Sequence, residues 1–299
     1  MPCTFYKNTC MPYDIMEEAI SMKFRMIAMD LDGTALQNDQ ISFSPRLAAA
    51  LSEAHRRGIA VTPVTGRQFN ILPPTVLQGE AWANLIVLCN GSEVRRLPGG
   101  ELLYSHYMSG SDVLPILEIA RELYLTIELS SAGTLYLTRE DWDTLRSLGT
   151  RPFHVGYVLE NWGCEVDDLK AFCMTGARFF EKVNLPYIPD ELKEKTEKLL
   201  SRLTISAVWS GDNSMEITHR DATKANGLLT VCRLLDIDPS QTFAIGDSGN
   251  DIPMLRVAGF GVAMGNAPDE VKLAARAVTA PNFEDGAALA IERYVLQDR

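Results

Sequence analysis

The chain has 299 residues, with 28 Lys plus Arg against 39 Asp plus Glu, a formal charge of −11. Its 46% hydrophobic and 22% charged residues are the mix of a packed globular protein and exclude a disordered or fibrous chain. The acidity argues against a nucleic-acid partner and suits small-molecule chemistry, with a divalent cation as a natural companion.

Residues 1–21 show no periodicity, so residues 1–22 are predicted to be an N-terminal extension, with Met22 as an alternative natural start. Met26-Ile27-Ala28-Met29 is a buried-strand run ending in Asp30-Leu31-Asp32-Gly33-Thr34. A helix follows: Ser44 is a good N-cap, Pro45 suits the first helical position, Gly58 can stop it, and Leu47, Ala50, Leu51 and Ala54 form its inner face. Ile59–Val64 is a second strand, ending at Thr65-Gly66-Arg67, and Leu85–Cys89 a third, ending at Asn90-Gly91. This alternation with short turns predicts a parallel sheet.

From 92 to 218 the pattern changes to short strands around two or three helices, read as an inserted α+β domain. Its helices are placed near 112–124 and 189–202, its strands near 101–104, 125–129, 134–138, 205–208 and 214–217. The α/β rhythm then returns. Helices are predicted near 224–235, 251–258, 268–275 and 284–294, and strands near 242–245, 260–263 and 277–279. The fold class is therefore α/β, a doubly wound parallel-sheet core (23–91 and 219–299) interrupted by a cap domain.

The six cysteines, at 3, 10, 89, 164, 173 and 232, form no Cys-x-x-Cys pair, and Cys89 and Cys232 read as small buried hydrophobes. No apolar run reaches the roughly 18 residues of a membrane span, and the N-terminus has no secretory-signal core, so a cytoplasmic protein with no membrane partner is expected.

Ligands of open α/β sheets gather at the carboxyl ends of strands. Four polar clusters fall there: Asp30/Asp32, Thr65, Asn90 and Asp247/Asp251. Carboxylates brought together repel, and Mg²⁺ relieves this with a few carboxylates, water and substrate phosphate. Asp30 and Asp247 are candidate direct ligands, with a backbone carbonyl near Asp32 as a further one. Phosphoryl transfer also needs an in-line nucleophile, charge neutralisation and a proton donor for the leaving group. Asp30 can be the nucleophile, Asp32 the acid and base, Thr65 a phosphate hydroxyl and Lys224 a point charge, while Gly33 and Gly66 allow close backbone approach.

Asp30-x-Asp32-Gly33-Thr34, Thr65-Gly66-Arg67, Lys224 and Gly246-Asp247-Ser248-x-Asn250-Asp251 resemble the four ordered motifs of the haloacid dehalogenase superfamily. Asn90-Gly91, the large insert and Gly261-Val262-Ala263-Met264-Gly265-Asn266-Ala267 resemble its type IIB, Cof-like phosphatases. The resemblance implies Asp30 as nucleophile, Asp32 as acid and base, and Thr65, Gly66, Lys224, Asn250 and Asn90 as phosphate-site residues. It implies an Mg²⁺ site from Asp30, Asp32, Asp247 and Asp251, the last direct or through water. The function implied is Mg²⁺-dependent hydrolysis of a small phosphorylated metabolite, a sugar phosphate first, through an aspartyl-phosphate. A phosphomutase or phosphotransferase using the same intermediate, and a non-catalytic phosphometabolite sensor, are the rivals. Blander readings attach to Asn266 as a cap for the helix after Pro268 and to Arg67 as a structural or rim cation, while His219, five residues before Lys224, is a candidate for the pocket rim.

Overall fold

The structure, a computed structural model, describes residues 24–78, 83–148, 153–176 and 178–297. The predicted extension 1–22 and the alternative start at Met22 lie outside the described residues. In chain order, β1 (Met26–Met29), α1 (Pro45–Arg56), β2 (Ala60–Pro63) and β3 (Leu85–Leu88) open the core. β4 (Glu93–Arg96) and β5 (Glu101–Ser105) follow. The insert contains β6 (Met108–Ser109), α2 (Gly110–Glu122), β7 (Glu128–Ser131), β8 (Thr134–Leu137), α3 (Arg139–Leu148), β9 (Gly163–Glu165) and α4 (Leu169–Met174). It continues through β10 (Phe179–Phe180), β11 (Lys182–Leu185), α5 (Lys193–Leu200), β12 (Ile205–Trp209) and β13 (Met215–His219). The core resumes with α6 (Lys224–Leu235), β14 (Thr242–Gly246), α7 (Ile252–Val257), β15 (Phe260–Ala263), α8 (Asp269–Ala274), β16 (Ala277–Val278) and α9 (Gly286–Tyr294).

The core sheet has the order β16-β15-β14-β1-β2, all parallel. Bridges Val61–Ala83 and Val64–Val87 bring β3 in beside β2, also parallel. Every residue of β1, β14 and β15 is buried, which is why these strands read as unbroken apolar runs. α1 and α9 pack on one face, where Leu47 and Leu51 meet the cluster of Ile27, Phe243 and Ile291. On the other, Leu228, Leu255 and Val271 from α6, α7 and α8 cover Met26, Ala28 and Ala244. The Ser44 hydroxyl accepts the Leu47 N–H at 3.1 Å, so the predicted cap forms.

The start of the insert differs from the expectation of residue 92. β4 pairs antiparallel with β3 and β5 with β4, and Val94, Leu103 and Tyr104 pack into the core cluster. Residues 93–105 thus extend the core side, and the chain crosses into the second sheet after Ser105.

That sheet has the order β12-β13-β11-β7-β8-β9. Its two faces differ. Leu129, Val183, Leu185, Met215 and Ile217 point to one side, where α2, α4 and α5 supply Val113, Ile116, Leu169 and Leu200. Burying each such aliphatic side chain contributes about 1.5–3 kcal/mol. Because strand side chains alternate, Lys182 and Asn184 must face the other side. Asn184 is registered between Glu128 of β7 and Glu216 of β13, so three polar residues lie in one cross-strand row. This row faces the core.

Candidate active site

Asp30 follows β1 directly, and its backbone N–H donates to Ile245 O at 3.0 Å, which holds it beside the end of β14. The parallel register, Met29 opposite both Ile245 and Pro63, delivers the three strand ends to one level. Lys224, the first residue of α6, brings a buried ammonium whose Nζ donates to Asp30 Oδ1 at 2.6 Å and to Asp251 Oδ1 at 2.7 Å. The other Asp251 oxygen, Oδ2, accepts the N–H groups of Asp247 and Ser248, each at 3.0 Å. Asp251 therefore has protein partners on both oxygens: it fixes the lysine and shapes the 247–248 turn. Asp247 Oδ1 accepts the Thr34 hydroxyl at 2.7 Å.

Gly33 stands at φ +74°, and a Cβ there would lie 2.3 Å from Asp247 Oδ2. Only glycine lets this turn lie so close to that carboxylate. Asn266 does not cap the following helix as expected. Its Nδ2 donates to Gly33 O at 2.9 Å and its Oδ1 accepts Asn282 N–H at 3.0 Å, tying the Asp30–Thr34 turn to the loop before α9.

Asp30, Asp247 and Asp251 place one oxygen each within 4.8 Å of one another. Three carboxylates face one ammonium, an excess of two negative charges. Burial, reinforced by Asp251, pushes the Asp247 carboxyl up to about 7. Burial likewise drives Asp30 well above the usual carboxylate range, against the pull of Lys224. Lys224 is held fully charged, because Asp251 and Asp30 outweigh its burial. A hard divalent cation suits this all-oxygen, charge-deficient cluster.

Asp32, expected to serve the metal through a nearby backbone carbonyl, turns its carboxylate elsewhere. Its side chain is 46% exposed and forms a two-pronged ion pair with Arg67, Nε to Oδ2 at 2.8 Å and Nη2 to Oδ1 at 2.6 Å. It lies outside the group of three carboxylates. Arg67, read as a structural or rim cation, is a rim residue with a definite partner; its guanidinium also sits 5.6 Å from the Phe153 ring centroid.

A cavity of about 550 Å³ lies between the core and the polar row. Asp30, Asp32, Gly66, Lys224, Asp247 and Asn250 line it from the core side; Lys182, Asn184, Glu128, Glu216 and His154 line it from the insert. Thr65, Asn90 and Asp251 sit behind this wall. The Thr65 hydroxyl accepts Arg67 N–H at 3.1 Å and keeps its own hydrogen to give. Asn90 is a relay: its Oδ1 accepts Asn250 Nδ2 at 3.2 Å and its Nδ2 donates to Glu216 Oε2 at 2.7 Å. Glu216 is in turn paired with Lys182, whose ammonium also donates to Gly66 O at 2.9 Å. His219 is absent from the cavity wall.

The insert residues Glu128, His154, Lys182, Asn184 and Glu216 escaped the sequence reading. Glu128 is fully buried, with its carboxylate 2.7 Å from His154 Nε2 and accepting Asn184 Nδ2 at 2.8 Å. The signal that could have found them is the polar alternation in Lys182-Val-Asn-Leu185, where a charge and an amide occupy alternate positions of an otherwise apolar strand.

A parallel, doubly wound core thus gathers four carboxylates at its strand ends beside the lysine that opens α6, beneath a second sheet, an arrangement suited to phosphoryl chemistry. The sequence profile of the haloacid dehalogenase-like hydrolases matches residues 27–291, and the chain belongs to that family. It is 30% identical over 286 residues to the Bacillus subtilis phosphatase YwpJ, covering 88% of this chain and 97% of that protein. It is 28% identical over 283 residues to the B. subtilis 5-amino-6-(5-phospho-D-ribitylamino)uracil phosphatase YcsE, covering 94% and 99% respectively. Among solved structures, a haloacid dehalogenase-like hydrolase from B. subtilis superposes with a TM-score of 0.77 at 26% identity, over 90% of this chain and 99% of that one. A subclass IIB sugar phosphatase shares the fold with a TM-score of 0.76 at 22% identity, over 90% and 98%. The chain is a Cof-like phosphoric monoester hydrolase acting on a small phosphorylated substrate. Among the described residues no helix is long and apolar enough to cross a membrane.

Proposed function

We propose that the chain is an Mg²⁺-dependent phosphatase for a small phosphorylated metabolite, a sugar phosphate first among them, working through an aspartyl-phosphate on Asp30. The observation that carries this reading is the Asp30 carboxylate at the floor of the cavity, one oxygen held by Lys224 at 2.6 Å. Asp30 and Asp247 would hold the Mg²⁺, with the Asp32 backbone carbonyl as a further donor and Asp251 acting from behind. When bound, the cation supplies charge neutralisation that lets an anionic nucleophile approach an anionic phosphate.

The residues then have separable tasks. Lys224 fixes the direction of the Asp30 carboxylate and offsets charge on the phosphoryl oxygens. Thr65 and the Gly66 turn, with Asn250, bound the space for those oxygens. An Asp30 oxygen attacks phosphorus; the bond to the leaving oxygen breaks, its electron pair stays on that oxygen, and Asp32 supplies the proton. Asp32, now a carboxylate, takes a proton from water, whose oxygen attacks phosphorus and releases inorganic phosphate and the Asp30 carboxylate. For this work Asp32 has to leave Arg67 and turn to the leaving oxygen; its partial exposure gives it the room. The polar row of Glu128, Asn184 and Glu216, with Lys182 beside it, supports a hydroxyl-rich leaving group, since each side chain can bond a hydroxyl. With β4 and β5 on the core side, the core comprises 24–105 and 220–297 and the cap lies between.

The test is a panel of phosphorylated metabolites assayed for phosphate release with and without Mg²⁺. Sugar phosphates should rank highest and release should need the cation. Equal rates in a chelator, or transfer of the phosphoryl group to a second sugar in place of release, would overturn the reading.

A further inference from the structure

The chain passes between core and insert twice, once after β5 and once at the end of β13, and side chains from these two linkers meet. The rings of His106 and His219 stack with centroids 4.1 Å apart and planes 25° apart. Asp221 Oδ2 lies 3.8 Å from His106 Nε2 and 3.7 Å from His219 Nδ1. One donor atom from each of the three falls within 4.8 Å of the others. All three side chains are partly exposed, and none lines the cavity.

We propose that His106, His219 and Asp221 form a second metal site, for a late first-row divalent cation such as Zn²⁺ or Ni²⁺, that clips the two linkers together. Two imidazoles and a carboxylate are a donor set these ions take, leaving further positions for water. Mg²⁺ prefers oxygen and is served by the carboxylates at Asp30. The two sites therefore differ in chemical kind.

The surroundings favour the ligating forms. Tyr104 Oη lies 3.1 Å from His106 Nδ1; with Nδ1–H given to that oxygen, Nε2 keeps its lone pair for the ion. The His219 Nδ1 lone pair faces the Asp221 amide, whose N–H donates to it at 3.1 Å, and coordination takes over that lone pair. Asp221 and Asp112 add negative charge, and Arg220 the opposing one. For both lone pairs to reach one ion the stacked rings must splay, and the half-exposed His106 ring has space to turn.

The experiment titrates the full chain with ZnCl₂ and with NiCl₂ by calorimetry in excess Mg²⁺, and follows thermal unfolding across the same titration. One equivalent should bind and raise the unfolding temperature. Asp247→Asn should keep this binding. His106→Ala and Asp221→Asn should each weaken it at least tenfold, about the smallest loss seen even for an outer-shell partner of a metal ligand. Two variants on different linkers guard against one that folds poorly, and each is compared with its own metal-free unfolding temperature. No binding in excess Mg²⁺ overturns the proposal. So does equal affinity in both variants, which would put the ion on the carboxylate cluster or on cysteines.

Discussion

Replacing Lys224 by methionine removes the one ammonium from a buried cluster of carboxylates while keeping the length of the side chain. The Nζ lies 2.6 Å from Asp30 and 2.7 Å from Asp251. At an effective dielectric of about 20 each contact is worth about 6 kcal/mol of gross attraction. The cost of burying the three charges cancels most of this. Breaking a buried pair by deleting one partner leaves a net loss of about 3–5 kcal/mol, because the remaining charges are stranded. In a domain of this size that corresponds to a fall in Tm of roughly 6–20 °C. The loss depends on pH. Asp30, already raised by burial against the pull of Lys224, titrates still higher in the folded chain once the ammonium is gone. A carboxyl raised in this way stabilises fully below its unfolded pKa and loses that contribution as pH rises through its folded pKa. The deficit of Lys224→Met should therefore be smallest below about pH 4 and grow as pH rises through the raised folded pKa of Asp30. Thermal unfolding of both proteins in chelator, followed by circular dichroism, measures it. A variant as stable as the parent, or a deficit that does not change with pH, would refute the stranded-charge account.

Asp30→Asn should fold normally and lose turnover by at least about 1,000-fold, the scale on which a covalent nucleophile's removal is felt; rates and circular dichroism on the same preparation check it. Gly33→Ala puts a Cβ 2.3 Å from Asp247 Oδ2 at φ +74°, a strain of about 1–3 kcal/mol. It should raise the Mg²⁺ concentration needed for half-maximal activity, seen in a metal titration of the rate. Glu181 is a buried carboxyl pushed up to about 7 by burial and by Glu93, and its Oε2 has no hydrogen-bond partner. With its folded pKa above its unfolded one, it should withdraw up to about 3 kcal/mol of stability as pH rises from about 4.5 to about 7. Glu181→Gln should flatten that part of the stability–pH curve in denaturant titrations, and an unchanged curve would reject the assignment.

The core was legible because each strand there is a solid apolar run stopped by a polar cluster. Asp30, Asp247 and Asp251 stand on those stops, where the parallel register brings them together, and Lys224 opens the helix that meets them. The insert was less legible for definite reasons. α3 buries only Leu145 among its described side chains, so its helical face is faint. β4 reads Glu-Val-Arg-Arg and hides its strand character behind charge, though it pairs with β3 and so moves the boundary past Ser105. Asn266 stands two residues before Pro268 and looks like a cap; its actual partners, Gly33 and Asn282, are contacts that only tertiary packing creates. The pairing of Asp32 with Arg67 spans 35 residues and follows no local rule.

The insertion also orders events in time. Lys224 meets Asp30 across 194 residues of chain, and Thr34 meets Asp247 across 213. As synthesis proceeds from the N-terminus, every strand of the inserted sheet has been made by residue 219, while β1 still lacks its β14 neighbour. During that interval the buried face of β1 has no partner on one edge, and such an edge favours misassociation. The nascent chain thus carries a finished lid over an unfinished floor, and phosphate chemistry can begin only when the last third of the protein has emerged.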